Sequence, residues 1–136
     1  MKNKVLTAIT MEERAVTYSI LITTKNRKTD LAFTLGKIKN IIKESSVHCV
    51  VFDDGSTDGT YEYVKENFSN IQLQRNPVSK GYIFCRNKML NETQADYAIS
   101  LDDDAHFLTE NPLEFIQQYF GYGLKMHIHL IMFKTQ

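Results

Sequence analysis

The chain has 136 residues, which suits one domain with a continuous core and leaves no room for two. Its 16 basic and 16 acidic side chains cancel, so no overall field draws it to nucleic acid or an anionic membrane, and any anionic ligand must be held by local groups. With 43% hydrophobic and 24% charged residues, the composition is that of a globular protein and excludes disorder and fibrous repeats.

Close to the N-terminus, the apolar stretch Val5 to Ile9 is too short and interrupted for a signal-peptide core. No window approaches the roughly 20 apolar residues of a membrane span. Tyr18 to Thr23 is a β-branched apolar run that reads as a strand buried on both faces, and it ends in the polar loop Thr24-Lys25-Asn26-Arg27. From Asp30 onward, Leu31, Leu35, Ile38 and Ile42 recur at helical spacing with Lys37, Lys39 and Lys43 opposite, predicting one amphipathic helix. Val47 to Phe52 is a second strand, closed by the turn formers Asp53 to Gly59.

Thr57 or Asp58 caps the next predicted helix, whose apolar face is Tyr61, Val64 and Phe68, and Ile71 to Leu73 makes a short third strand. After Asn76-Pro77 and a turn ending at Gly81, Tyr82 to Asn91 reads as a helix and Tyr97 to Leu101 as a buried strand. Asn111-Pro112 opens a helix that carries Phe115, Ile116, Tyr119 and Phe120 on one side, and Met126 to Phe133 supplies a last strand. Strands alternating with helices predict an α/β fold: a mostly parallel sheet with helices on both faces, joined by right-handed crossovers.

In open sheets of this kind, ligands bind beyond the carboxyl ends of the strands. Three such ends carry polar clusters here: Thr23 to Arg27, Asp53 to Asp58, and Asp102 to Asp104. Carboxylates gathered at one edge repel one another unless a cation or hydrogen-bond donors offset them. Asp102 and Asp104 offer oxygen ligands suited to Mg²⁺ or Mn²⁺, which take one or two protein carboxylates and complete their shell with water and phosphate.

Taken together, Ser19 to Arg27, Val50 to Thr60 (with Asp53-Asp54-Gly55-Ser56-Thr57-Asp58) and Leu101-Asp102-Asp103-Asp104-Ala105 resemble the family-2 glycosyltransferases of GT-A, Rossmann-like fold. That family shows a T-x-N-R-like loop after a strand, then D-D-G-S-x-D, then a D-x-D metal motif. The likeness runs from about Tyr18 to Phe107. It implies that Thr23 and Thr24 line a base pocket, with Asn26 and Arg27 in the same nucleotide-sugar-binding loop. Asp54, with or without Asp53, would accept from the base, Asp102 or Asp103 would reach the ribose, and Asp104, with Asp102 beside it, would hold the metal. Asn76, Gly81 and Arg86-Asn87 resemble the family's N-x-G and R-N segments, with Arg86 facing the nucleotide.

The implied reaction is an inverting, metal-dependent transfer of a sugar from a nucleotide-diphosphate donor, a UDP-sugar by default, to a sugar or a lipid- or protein-linked glycan that the sequence does not identify. Lys25 stands where the family often has an aromatic residue. The family's catalytic carboxylate lies beyond the strand after the D-x-D helix, and Glu110 and Glu114 are the acidic residues that follow Asp104 here. The chain therefore reads as an apparently truncated, nucleotide-sugar-binding half, with a non-catalytic binding module as the alternative. A sugar nucleotidyltransferase is a further reading, but such enzymes open with a glycine-rich loop after strand one, and residues 23 to 27 contain no glycine.

Blander readings stand beside these. Each aspartate cluster could be a helix cap or solvated turn, and Arg86 a surface arginine with a buried stem. Lys25, Arg27 and Lys28 are either a solvated patch or a diphosphate contact. His106 stands beside the acidic cluster, either as a loop residue or near the phosphates. His127 and His129 share a strand face but lack a third ligand, so a structural reading is preferred. Cys49 and Cys85 lack metal-ligand spacing and read as buried thiols in a reducing, cytoplasmic setting, with or without peripheral membrane contact. A truncated sheet would leave apolar surface around His129 to Phe133 uncovered, which predicts self-association.

Overall fold

A computed structural model of the chain describes residues 15–120 and 126–129, the final strand by its backbone. Nine elements alternate along it: β1 (Tyr18–Thr24), α1 (Lys28–Lys37), β2 (Val47–Asp53), α2 (Thr60–Asn67), β3 (Ile71–Arg75), α3 (Tyr82–Glu92), β4 (Tyr97–Ser100), α4 (Pro112–Phe120) and β5 (Met126–His129). The expected α/β fold is what forms. The strands make one five-stranded sheet in the order β3-β2-β1-β4-β5, and every pairing is parallel.

β1 lies between β2 and β4, with Tyr18 opposite both Val47 and Tyr97. All seven of its residues are buried, which explains its continuous apolar run rather than an alternating one. The period of two sorts its side chains. Ile20 and Ile22 join Val51, Ile99, Leu31 and Leu35 of α1, Val64 of α2 and Ile116 of α4 in the larger core cluster. Leu21 joins Val50, Phe52 and Ala98 on the opposite face, where Cys85 and Met89 of α3 cover them. Helices thus cap both faces, three on one side and α3 on the other.

The strand order fixes where a ligand fits. From β1 the chain builds outward through β2 and β3, then returns to the opposite edge of β1 for β4 and β5. β1 and β4 are neighbours from which the chain continues toward opposite edges of the sheet, and a crevice opens between their carboxyl ends.

Two boundaries differ in kind from expectation, and a third lies partly outside the described residues. The first helix ends at Lys37, although Ile38 and Ile42 remain buried at 1% and 4% exposure. They keep the helical spacing inside a series of turns that bring the chain back to β2, so periodicity overstated the helix. The α2 cap position is Gly59, at φ 87° and without a side-chain hydrogen bond, rather than Thr57 or Asp58. Asp58 still ties the first turn, because its Oδ1 accepts from the Thr60 amide and hydroxyl. β5 is described to His129, so the rest of the expected strand to Phe133, and with it the proposed self-association surface, falls outside the described residues. No helix among the described residues is long and apolar enough to cross a membrane.

Candidate functional site

A cleft of about 500 Å³ opens at the β1/β4 divergence, within the range of small-molecule sites. Its walls come from four strand ends. Thr23 and Thr24 end β1 and Lys25 and Arg27 follow it, Asp54 follows β2, Ser79, Gly81 and Tyr82 follow β3, and Asp102, Asp103 and Asp104 follow β4.

Asp54 fastens one wall. Its Oδ1 accepts from Asn76 Nδ2 at 2.9 Å and the Lys80 amide at 2.8 Å. Its Oδ2 accepts from Ser79 Oγ at 2.7 Å and the Gly81 amide at 2.9 Å. A carboxylate offers about four lone-pair sites, so this one is saturated by the β3–α3 loop. Burial alone would raise its pKa, but these four hydrogen bonds outweigh burial and hold Asp54 well below the usual carboxylate range. Gly55 lets the loop come this close: its φ is +78°, and a Cβ there would stand 3.0 Å from the Ser79 amide nitrogen.

The opposite wall is a charge ladder. Arg27 Nε lies 3.2 Å from Asp103 Oδ1, and its Nη2 lies 3.0 Å from Asp104 Oδ2 and 3.2 Å from Asp30 Oδ2. Thr24 Oγ1 donates to Asp103 Oδ2 at 3.0 Å, and Thr34 Oγ1 of α1 donates to the Asp103 carbonyl at 2.9 Å. Tyr82 of α3 reaches across to Asp102 Oδ1 at 3.4 Å. Thr23 Oγ1 is buried in the cleft wall without a hydrogen-bond partner among the described residues.

Burial pushes the Asp103 carboxyl up to about 6, against the lowering effects of the Thr24 hydrogen bond and the Arg27 charge. A raised folded value means that the native state holds this proton more tightly than the unfolded chain does. Its contribution to folding is therefore full at acid pH and is lost as pH rises through about 6. In ligand-free protein, Asp103→Asn should gain thermal stability relative to wild type as pH is raised from roughly 5 to 7. Melting curves at the two pH values test this, and a difference that does not change with pH would refute it.

Three of the residues expected in the site do not line the cleft. Asn26, at φ 52°, accepts from the Thr57 amide at 2.7 Å through Oδ1 and donates its own amide to Ser56 Oγ, which splices the β1 and β2 loops. Asp53 is fully buried and pairs with Arg75 at 3.3 Å. Adjacent residues leave a strand on opposite sides, so Asp53 and Asp54 cannot share one ligand face. Arg86 is absent from the cleft lining, its guanidinium 5.4 Å from the centre of the Tyr82 ring. His106 faces Phe33 edge to ring at 6.1 Å and does not line the cleft. The side chains of His127 and His129 lie outside the described residues.

The model of glycosyl transferase family 2 matches residues 19–123. The chain belongs to that family. Solved structures resemble it at identities that speak to the fold alone. They include the mannosyltransferase PcManGT from Pyrobaculum calidifontis in complex with GDP-Man and Mn²⁺, 19% identical with a TM-score of 0.57 over 82% of this chain and 37% of that one. Residues 1–349 of S. aureus TarS, in complex with UDP-GlcNAc, are 22% identical with a TM-score of 0.64, over 77% and 32% of the two chains. Mannosyl-3-phosphoglycerate synthase from Rubrobacter xylanophilus is 16% identical with a TM-score of 0.59, over 76% and 36%. The chain thus spans about a third of the length of these three. No curated protein matches its sequence.

Within this family frame, Ser79 and Tyr82 are the cleft residues that sequence reading missed. The signal available was their position beside Gly81, at the start of the helix that follows β3.

Proposed function

We propose that this chain binds a nucleotide-diphosphate sugar, with a UDP-sugar as the default donor, as the donor half of an inverting, metal-dependent glycosyltransferase acting on a sugar or glycan acceptor. The observation that carries this reading is the cleft itself, where cations and hydroxyls at the end of β1 and three consecutive aspartates after β4 share one wall, opposite the loop that Asp54 fastens. The solved complexes of similar fold with GDP-Man and Mn²⁺ and with UDP-GlcNAc support it.

Thr23, whose hydroxyl has no partner among the described residues, and Thr24 would border the base and ribose, Asp102 and Asp103 would reach the ribose, and Arg27 would meet the diphosphate. Lys25 adds a second cation to the same wall. Asp54 would act through the loop it saturates, holding Ser79, Gly81 and Tyr82 against the donor.

Among the described residues no group of three or more His, Cys, Asp or Glu stands ready for a metal. The oxygen donors of Asp102 and Asp104 nevertheless fit a hard cation that draws its remaining ligands from phosphate and water. Bound there, Mg²⁺ or Mn²⁺ would supply charge stabilisation for a departing diphosphate. The two buried free thiols, Cys49 and Cys85, suit a reducing, cytoplasmic setting.

A second reading, a nucleotide-sugar-binding module without transfer activity, is favoured by one observation. Glu110 and Glu114 are exposed and line no part of the cleft, so among the described residues no carboxylate after Asp104 is placed to take a proton from an acceptor. Donor hydrolysis above background by the purified chain would exclude it.

Calorimetric titration with UDP and Mn²⁺ tests the donor site. Binding should be measurable for wild type and weaken by at least about 100-fold in Asp104→Ala, the loss of one strong charged contact. Equal affinity in that variant would overturn the site assignment.

A further inference from the structure

Arg27 sits where the cleft's negative charge is densest. A single guanidinium spans Asp30, Asp103 and Asp104 at 3.0–3.2 Å, carboxylates that would otherwise repel one another across the mouth of the cleft. The side chain is 44% exposed, so ion pairs hold it and its departure requires no repacking of the core. Its contact with Asp104 uses Oδ2, on the carboxylate that a divalent cation would take. A guanidinium and a dication cannot both stay close to that carboxylate without repelling each other.

Arginine's planar fork also matches phosphate oxygens in pairs. A diphosphate entering the cleft would give the displaced guanidinium a new partner within the same site. Thr23 lines the same cleft, and its buried hydroxyl has no hydrogen-bond partner among the described residues.

We propose that Arg27 is the resident counter-ion of the cleft: it bridges Asp103 and Asp104 in the free chain, yields Asp104 to a divalent cation, and turns to the diphosphate. The cation and the nucleotide then bind as a coupled pair, each favouring the other, and the free chain binds the cation weakly. The proposal rests on the metal-dependent donor reading above. Linkage makes the coupling reciprocal, so it can be measured from either ligand.

The test is Mn²⁺ binding to the full chain, followed by the electron paramagnetic resonance signal of free Mn²⁺, with and without UDP. Arg27→Met removes the competing charge. Without UDP it should bind Mn²⁺ at least about fivefold more tightly than wild type, and UDP should enhance its Mn²⁺ binding less than it does for wild type. A residue with a merely structural role would lower Mn²⁺ affinity when lost, or leave it unchanged. Should Arg27→Met fail to fold by circular dichroism, Arg27→Lys serves in its place. It keeps the charge but cannot fork across two carboxylates, and should shift affinity in the same direction by a smaller factor. Unchanged or weaker Mn²⁺ binding by the folded variant, with wild type still binding Mn²⁺ plus UDP, overturns the counter-ion role alone. Failure of wild type to bind Mn²⁺ even with UDP overturns the metal-dependent reading and this proposal with it.

Discussion

Asp54→Ala should destabilise the protein by about 3 kcal/mol in chemical denaturation, at the upper end of single-residue effects, and remove donor binding. The carboxylate accepts four hydrogen bonds from one loop, and it is 3% exposed. Truncation would leave Asn76, itself 5% exposed, with the Cys85 sulfur as its remaining side-chain acceptor. Water can reach the exposed Ser79, Lys80 and Gly81 and replace part of what they lose, so the desolvation cost falls mainly on the buried Asn76. Asn is no conservative substitute. Its amide nitrogen would confront two of the four converging donors, so Asp54→Asn should lose nearly as much stability as Asp54→Ala. An unchanged denaturant slope would show that the loss lies in the native loop rather than in the unfolded chain. If Asp54→Ala kept wild-type stability while losing UDP affinity, the carboxylate would be reading the base directly, and its role as the fastening of this wall would be wrong.

That outcome bears on how far the sequence speaks. β1, β2 and β4 could be read because each is buried on both faces and so appears as an unbroken apolar run that stops at a charged cluster. The stops also fall at one edge of the sheet, where Thr23, Thr24, Arg27, Asp54 and Asp102 to Asp104 converge on one cleft. The first helix was overread because Ile38 and Ile42 are buried at helical spacing without being helical, and burial is what the pattern records. Partnerships were harder to read. Arg27 and Asp104 are 77 positions apart, and the donors that saturate Asp54 come from a loop with no periodicity to flag it. The pair Asp53-Asp54 shows the same limit at short range, since adjacency in sequence suggests one site while strand geometry sends the two carboxylates to different partners.

The second large effect follows from that divergence: Arg75→Met should destabilise the chain by about 2–3 kcal/mol, because it leaves a buried carboxylate without its counter-charge. Asp53 has no exposure, whereas Arg75 is 37% exposed. Water near the guanidinium weakens their attraction, so the expected cost lies below that of a fully buried pair. Asp53 and Arg75 are also direct neighbours in the β2–β3 register. Arg75 further donates to the Ser56 carbonyl at 3.0 Å and covers the Tyr61 ring at 4.6 Å, contacts that methionine reproduces in part through packing alone. Adding Asp53→Asn to Arg75→Met should recover more than half of the loss, since the stranded charge is gone while the acceptor for the Ser56 amide remains. The double-mutant cycle isolates the pair from the other Arg75 contacts. No recovery in the double variant would show that the Ser56 and Tyr61 contacts, not the buried charge, set the cost. Because Asp53 lies outside the cleft lining, Asp53→Asn alone should keep UDP affinity within about threefold of wild type, less than 1 kcal/mol. A loss as large as that expected for Asp104→Ala would return Asp53 to the donor site.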